Sequence, residues 1–130
     1  MLQYKVLALI LLDVLLNVAG QLSLKRGMAQ FGAFAISFTT LPQVFFKSAT
    51  NLYVLLGLTC YGLGFLVWLI VLAKAEVSYA YPLISLGYVF TAVLAWLLFN
   101  EAMTDIRIAG ILLICIGVYL IARSYQPIAR

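Results

Sequence analysis

Four apolar stretches, at about residues 6–24, 52–73, 80–99 and 106–122, constrain this chain more than any other feature. Each is close to the ~20 residues that an α-helix needs to cross about 30 Å of hydrocarbon. In lipid each stretch must be helical, because a lone strand would leave its backbone polar groups without partners. The composition agrees: 66% of the 130 residues are hydrophobic and 9% are charged, whereas a soluble domain has about a quarter charged. The expected fold is an all-α membrane protein, a single domain over residues 1–130 with four transmembrane helices, working as a dimeric bundle. A soluble enzyme is excluded.

The connections differ in length. Residues 74–79 and 100–105 are short links, so the second, third and fourth helices run antiparallel to their neighbours. Residues 27–51 form a longer, mixed segment. Within it, residues 40–48 combine Thr40, Pro42, two phenylalanines and Lys47, the signs of a short capped helix at the membrane surface. A loop packed over helix ends is the alternative. The first apolar run, after Lys5, has the outline of a secretory signal, but Asp13 and Asn17 interrupt its core, so it reads as a retained first helix. Tyr4, Tyr53, Tyr79, Tyr81, Trp96 and Tyr125 fall near span ends, where amphipathic rings anchor.

The net charge of +4 comes from basic residues scattered over helix ends, a pattern of membrane anchors that implies no nucleic-acid partner. With four spans, Lys5, Lys74, Arg123 and Arg130 share one side and Lys25, Arg26, Lys47 and Arg107 the other. Because lysine and arginine bias sets orientation, an even count leaves almost no preference. Such a chain can pair with its own inverted copy; otherwise folding or a partner selects one orientation. Histidine is absent, and Cys60 and Cys115 lie inside apolar runs, so neither a metal site nor a cofactor is expected.

The first helix carries the sharpest signal. Asp13, Asn17, Gln21 and Lys25 recur every four residues and form one polar stripe, with Gly20 beside it. A polar stripe faces a partner helix or a hydrated cavity, never lipid. Asp13, about 12 Å along the helix from Lys5 at 1.5 Å per residue, is a candidate proton or cation site, or a clasp hydrogen-bonded to Asn17 or a tyrosine. On the third helix Tyr81, Ser85 and Tyr88 are spaced to share a face, and Tyr61 lies part-way along the second. Together these form a candidate substrate site of amide, hydroxyl and aromatic groups, suited to a sugar or polar headgroup; as single residues the tyrosines serve equally for packing. Lys25 and Arg26 are candidates to attract a phosphate or headgroup, or simple anchors. Gly110 and Gly117, two turns apart on the fourth helix, suggest a dimerisation face, or close packing within one subunit. No nucleophile with its base and no phosphate-cradling loop is present, so no catalytic residues are assigned.

Residues 17–25 (NVAGQLSLK), 78–85 (SYAYPLIS), 96–101 (WLLFNE) and 109–117 (AGILLICIG) resemble the four-helix, EamA-like members of the drug/metabolite transporter superfamily over nearly the whole chain. Two branches are similar. Small multidrug resistance antiporters carry a first-helix glutamate that exchanges protons for drugs. Asn17 stands at the matching position and Ile84 replaces that branch's third-helix tryptophan, while Tyr61 and Tyr81 match its binding tyrosines. Asparagine exchanges no proton, so that mechanism does not carry over intact; Asp13, one turn away, is the group that would substitute.

The second branch comprises small flippase subunits for aminoarabinose linked to undecaprenyl phosphate. It also lacks the glutamate, and residues 18–21 (VAGQ) and 80–86 (AYPLISL) resemble it more. That resemblance implies a bacterial inner membrane, a polyprenyl-linked sugar as substrate, and pairing as a heterodimer with a similar four-helix chain instead of a homodimer. The leading expectation is a lipid-linked sugar flippase without covalent chemistry. A proton-coupled exporter of organic cations and an assembly subunit of a larger membrane complex are the alternatives.

Overall fold

A computed structural model describes residues 2–32 and 38–125. Its helices are α1 (Leu2–Ala29), α2 (Leu41–Thr50), α3 (Leu52–Leu72), α4 (Val77–Leu83), α5 (Leu86–Phe99) and α6 (Asp105–Ala122). Taken as spans, α1, α3, the α4–α5 pair and α6 are each long and apolar enough to cross a membrane. Three contacts show that they alternate up and down. Lys25 at the end of α1 meets Glu101 just beyond α5, Gln3 at the start of α1 reaches the Ala122 carbonyl at the end of α6, and Tyr79 stacks edge-on with Tyr125. Lys25, Arg26, Lys47 and Arg107 therefore lie toward one end of the bundle. Lys5, Lys74 and Arg123 lie toward the other, and Arg130 is outside the described residues.

Lipid tails are as apolar as leucine, so burying leucine does not drive helices together in a membrane; close van der Waals fit does. The main interface, α1 against α3, is built on that basis. A Cβ on Gly57 would fall 2.8 Å from the Leu24 side chain and 2.9 Å from the Gly20 carbonyl oxygen, and one on Gly20 would fall 3.2 Å from the Gly57 carbonyl. Gly27 and Gly64 sit in the same seam, against Val54 and against the Asp13–Asn17 pair. One face of α1 over, Val6, Ile10, Val14 and Val18 recur every four residues and form the dry core with Val71, Ala75, Tyr79, Ala80, Leu83 and Val118. That core closes the end of the bundle opposite Lys25.

Helix ends follow local chemistry. Asn51 caps α3, its Oδ1 accepting from the Tyr53 and Val54 amides, while its Nδ2 donates to Gln30. The Thr104 hydroxyl accepts from the Arg107 amide at the start of α6. α2 begins at Thr40-Leu41-Pro42, as the threonine and proline suggest, but the Thr40 side chain makes no cap hydrogen bond. α2 keeps no buried residue, and Phe45 and Phe46 stand exposed.

The third span departs from a smooth helix over residues 80–99. It starts at Val77 and breaks at Ile84–Ser85. Pro82 has no N–H to offer the preceding turn, and the chain tightens through Ile84 N to Tyr81 O, Ser85 N to Pro82 O and Gly87 N to Ile84 O. The Ser85 hydroxyl donates back to the Pro82 carbonyl at 2.5 Å. The break re-aims the residues that follow it.

Gly110 and Gly117 meet nothing within 4 Å on α6, which is the most exposed span, with Val118 its one buried residue among those described. If this face binds a second chain, Gly110→Leu with Gly117→Leu should convert the assembly to monomers in crosslinking and size analysis while the four-helix fold persists. An unchanged assembly would discard the face.

Candidate functional site

Three cavities share walls and follow one another as a groove, the first two beside α1 and the third along α5 to the start of α6. The innermost, about 370 Å³, is lined by Asp13, Asn17, Tyr61, Phe65, Trp68, Tyr81 and Ile84. The next, about 220 Å³, shares Asn17, Tyr61 and Ile84 and adds Gln21, Gly87, Tyr88 and Thr91. The third, about 250 Å³, shares Tyr88 and Thr91 and ends on Trp96, Glu101 and Arg107. Tyr81 and Tyr88 are 66% and 69% exposed, so the groove is open along its side.

Asp13 anchors the inner end. It is 3% exposed, and the Asn17 Nδ2 donates both to its backbone carbonyl at 2.8 Å and to its Oδ1 at 3.1 Å. Gly64 makes this possible, because a Cβ there would come within 3.1 Å of Asp13 Oδ1 and 3.2 Å of Asn17 Nδ2. One turn on, Gly20 leaves room for the Tyr61 ring, which a Cβ would approach at 3.2 Å, and the Tyr61 hydroxyl faces the Gln21 side chain. Trp68 and Tyr81 meet edge-to-face with ring centroids 6.1 Å apart. A carboxylate oxygen, amide groups and aromatic faces thus converge where the rest of the bundle is apolar.

The structure brings Asp13, Asn17, Gln21, Tyr61, Tyr81 and Tyr88 to this groove. Ser85 is not among its lining residues, and its hydroxyl is turned to its own backbone by the break. Lys25 forms an ion pair with Glu101 at 3.0 Å, and the Arg26 guanidinium lies 5.3 Å from the Tyr53 ring centroid. Phe65, Trp68, Gly87 and Thr91 join the lining without having stood out in the sequence, and Ile84 joins it too, having been noted only as a replacement for a tryptophan. Trp68 was findable, since it falls seven residues after Tyr61 and so on the same helical face. Ile84 was findable in the same way, three residues after Tyr81 and four before Tyr88.

A mostly apolar groove carrying a few polar groups, open along its side and set among helices apolar enough for lipid, fits a multi-pass transport protein of the inner membrane. The chain belongs to the EamA-like transporter family, which matches residues 4–123. It is similar to the probable 4-amino-4-deoxy-L-arabinose-phosphoundecaprenol flippase subunit ArnF of Photorhabdus laumondii, 37% identical over 119 residues, covering 87% of this chain and 93% of that one. It is also similar to probable ArnE subunits of the same flippase. The one from Pseudomonas syringae is 32% identical over 111 residues, 85% of this chain and 94% of that one. The one from Pseudomonas aeruginosa is 42% identical over 69 residues, 53% of this chain and 60% of that one. No solved structure matches.

Proposed function

We propose that this protein is a flippase subunit that moves an amino sugar, attached to a polyprenyl phosphate, across the inner membrane. The side-open groove from Asp13 to Arg107 carries this reading: the headgroup travels inside while the lipid tail stays in the bilayer. The sugar named in the relatives bears an amine. A carboxylate ringed by Tyr61, Trp68 and Tyr81 suits an ammonium group and a sugar face together, through charge-assisted hydrogen bonding and contact with aromatic rings. Asn17 and Gln21 supply hydrogen bonds to hydroxyls farther along. No bond is made or broken; the groove replaces the water that the headgroup leaves behind. The outward face of α6 pairs with a second four-helix chain, identical or similar.

The test is movement of a fluorescent polyprenyl-phosphate amino sugar between leaflets of vesicles holding the protein with whatever four-helix chain co-purifies. Tyr81→Ala should slow movement about tenfold, the effect of losing one aromatic contact of about 1.4 kcal/mol. Gln21→Ala should slow it about fivefold, for one hydrogen bond. Both side chains are exposed, so the amount of folded protein should not change. Asn17→Ala is a poorer probe, since it strips Asp13 of its donor. Unchanged movement in both Tyr81→Ala and Gln21→Ala would remove this site.

The aromatic ring around Asp13 also favours a second reading, proton-coupled export of small organic cations. It requires that tetraphenylphosphonium release protons from the purified protein, and that Asp13→Asn abolish the release.

A further inference from the structure

The outer end of the groove has a feature that moving a sugar does not require. Glu101 faces two ways: it pairs with Lys25 at 3.0 Å, and it lines the outer cavity with Trp96 and Arg107. The short loop holds it there. Asn100 adopts a left-handed conformation at φ 52°, which ends α5 and turns Glu101 toward α1. The Thr104 cap then starts α6 with Arg107 in its first turn. The Arg107 guanidinium donates to the Ala102 carbonyl, a contact that uses one of its five donors.

Building on the flippase reading, we propose that the Lys25–Glu101 pair is a latch opened by a phosphate ester, which Lys25 and Arg107 then hold at the groove's outer end. Lys25 and Glu101 are 57% and 40% exposed, and ion pairs so exposed are worth little, so another anion displaces the carboxylate readily. A phosphate brings more acceptor oxygens than a carboxylate and matches the arginine fork. Asp13 lies about 18 Å from Lys25 along α1 at 1.5 Å per residue, farther than one sugar phosphate spans. The phosphate station and the amine station are therefore occupied in succession.

The test uses the protein in phosphatidylcholine nanodiscs with radiolabelled decaprenyl phosphate, competed by inorganic phosphate or phosphatidylglycerol. Glu101→Gln frees Lys25 and should bind about two- to fivefold tighter. Lys25→Gln should bind about tenfold weaker, with Lys25→Arg retaining binding as the folded control. Lys25→Gln combined with Glu101→Gln should show no gain over Lys25→Gln. Competition by inorganic phosphate assigns the site to the phosphate group alone, and competition confined to the decaprenyl ester assigns it to a lipid-linked source; either supports the latch. Equal or weaker binding by Glu101→Gln, a gain that persists without Lys25, or equal competition by phosphatidylglycerol overturns it. Unchanged binding in Glu101→Gln alongside slowed movement in Tyr81→Ala sinks the latch and keeps the flippase. The reverse pattern sinks the flippase reading and keeps the phosphate site.

Discussion

Gly57→Val is expected to prevent folded protein from accumulating, whereas Gly62→Val, only five residues away, should be silent. Nothing lies within 4 Å of the space that a Cβ on Gly62 would enter. At Gly57 the same atom meets the Gly20 carbonyl oxygen at 2.9 Å, and backbone cannot swing aside as a side chain can. Relief requires α1 and α3 to part, and that interface also holds Gly64 against the Asp13–Asn17 pair. Overpacking a well-filled interior costs about 1–3 kcal/mol. Here the cost is compounded by loss of the close packing that associates helices in lipid. Thermal unfolding in mild detergent, read as monodisperse protein remaining, separates the two variants. Comparable stability would mean that the glycine seam does not hold the bundle together.

Asp13→Asn is expected to leave the fold intact and to slow movement of the amino-sugar lipid by about tenfold to a hundredfold. That range corresponds to about 1.5–3 kcal/mol for a hydrogen bond to a charged group. Asparagine matches aspartate in shape and its carbonyl can still accept from Asn17, so the packing against Gly64 survives. Replacing an ionisable group at mid-membrane by a neutral one of the same shape does not destabilise the bundle. The control is the same lipid with its amine acetylated, which has no charge for Asp13 to meet and should move equally well in both proteins. Full rates for the free amine in Asp13→Asn would show that the carboxylate serves only to clasp helices.

Both expectations rest on features of unequal visibility in the chain. The stripe of Asp13, Asn17, Gln21 and Lys25 was legible because hydrogen-bonding groups are costly in oil and helical spacing says which of them share a face. The glycines were legible only as a spacing. Gly20 and Gly27, Gly57 and Gly64, and Gly110 and Gly117 are each seven apart. Nothing local distinguishes the pairs, yet the first two lie in the α1–α3 seam and the third meets open space. Ser85 matched Tyr81 and Tyr88 by spacing on an unbroken helix; Pro82 broke the helix and sent the serine hydroxyl to its own backbone.

The order of apolar runs along the chain was enough for four spans and an all-helical fold, because lipid offers backbone groups no partner and each run must satisfy its own. Which faces meet is a different kind of fact. The Asp13 cradle at Gly64, the Trp68–Tyr81 contact and the Lys25–Glu101 pair join residues far apart in the chain. The first exists because the glycine-lined backbones of α1 and α3 come into direct contact, and all three are properties of the assembled bundle, where separate helices are brought side by side.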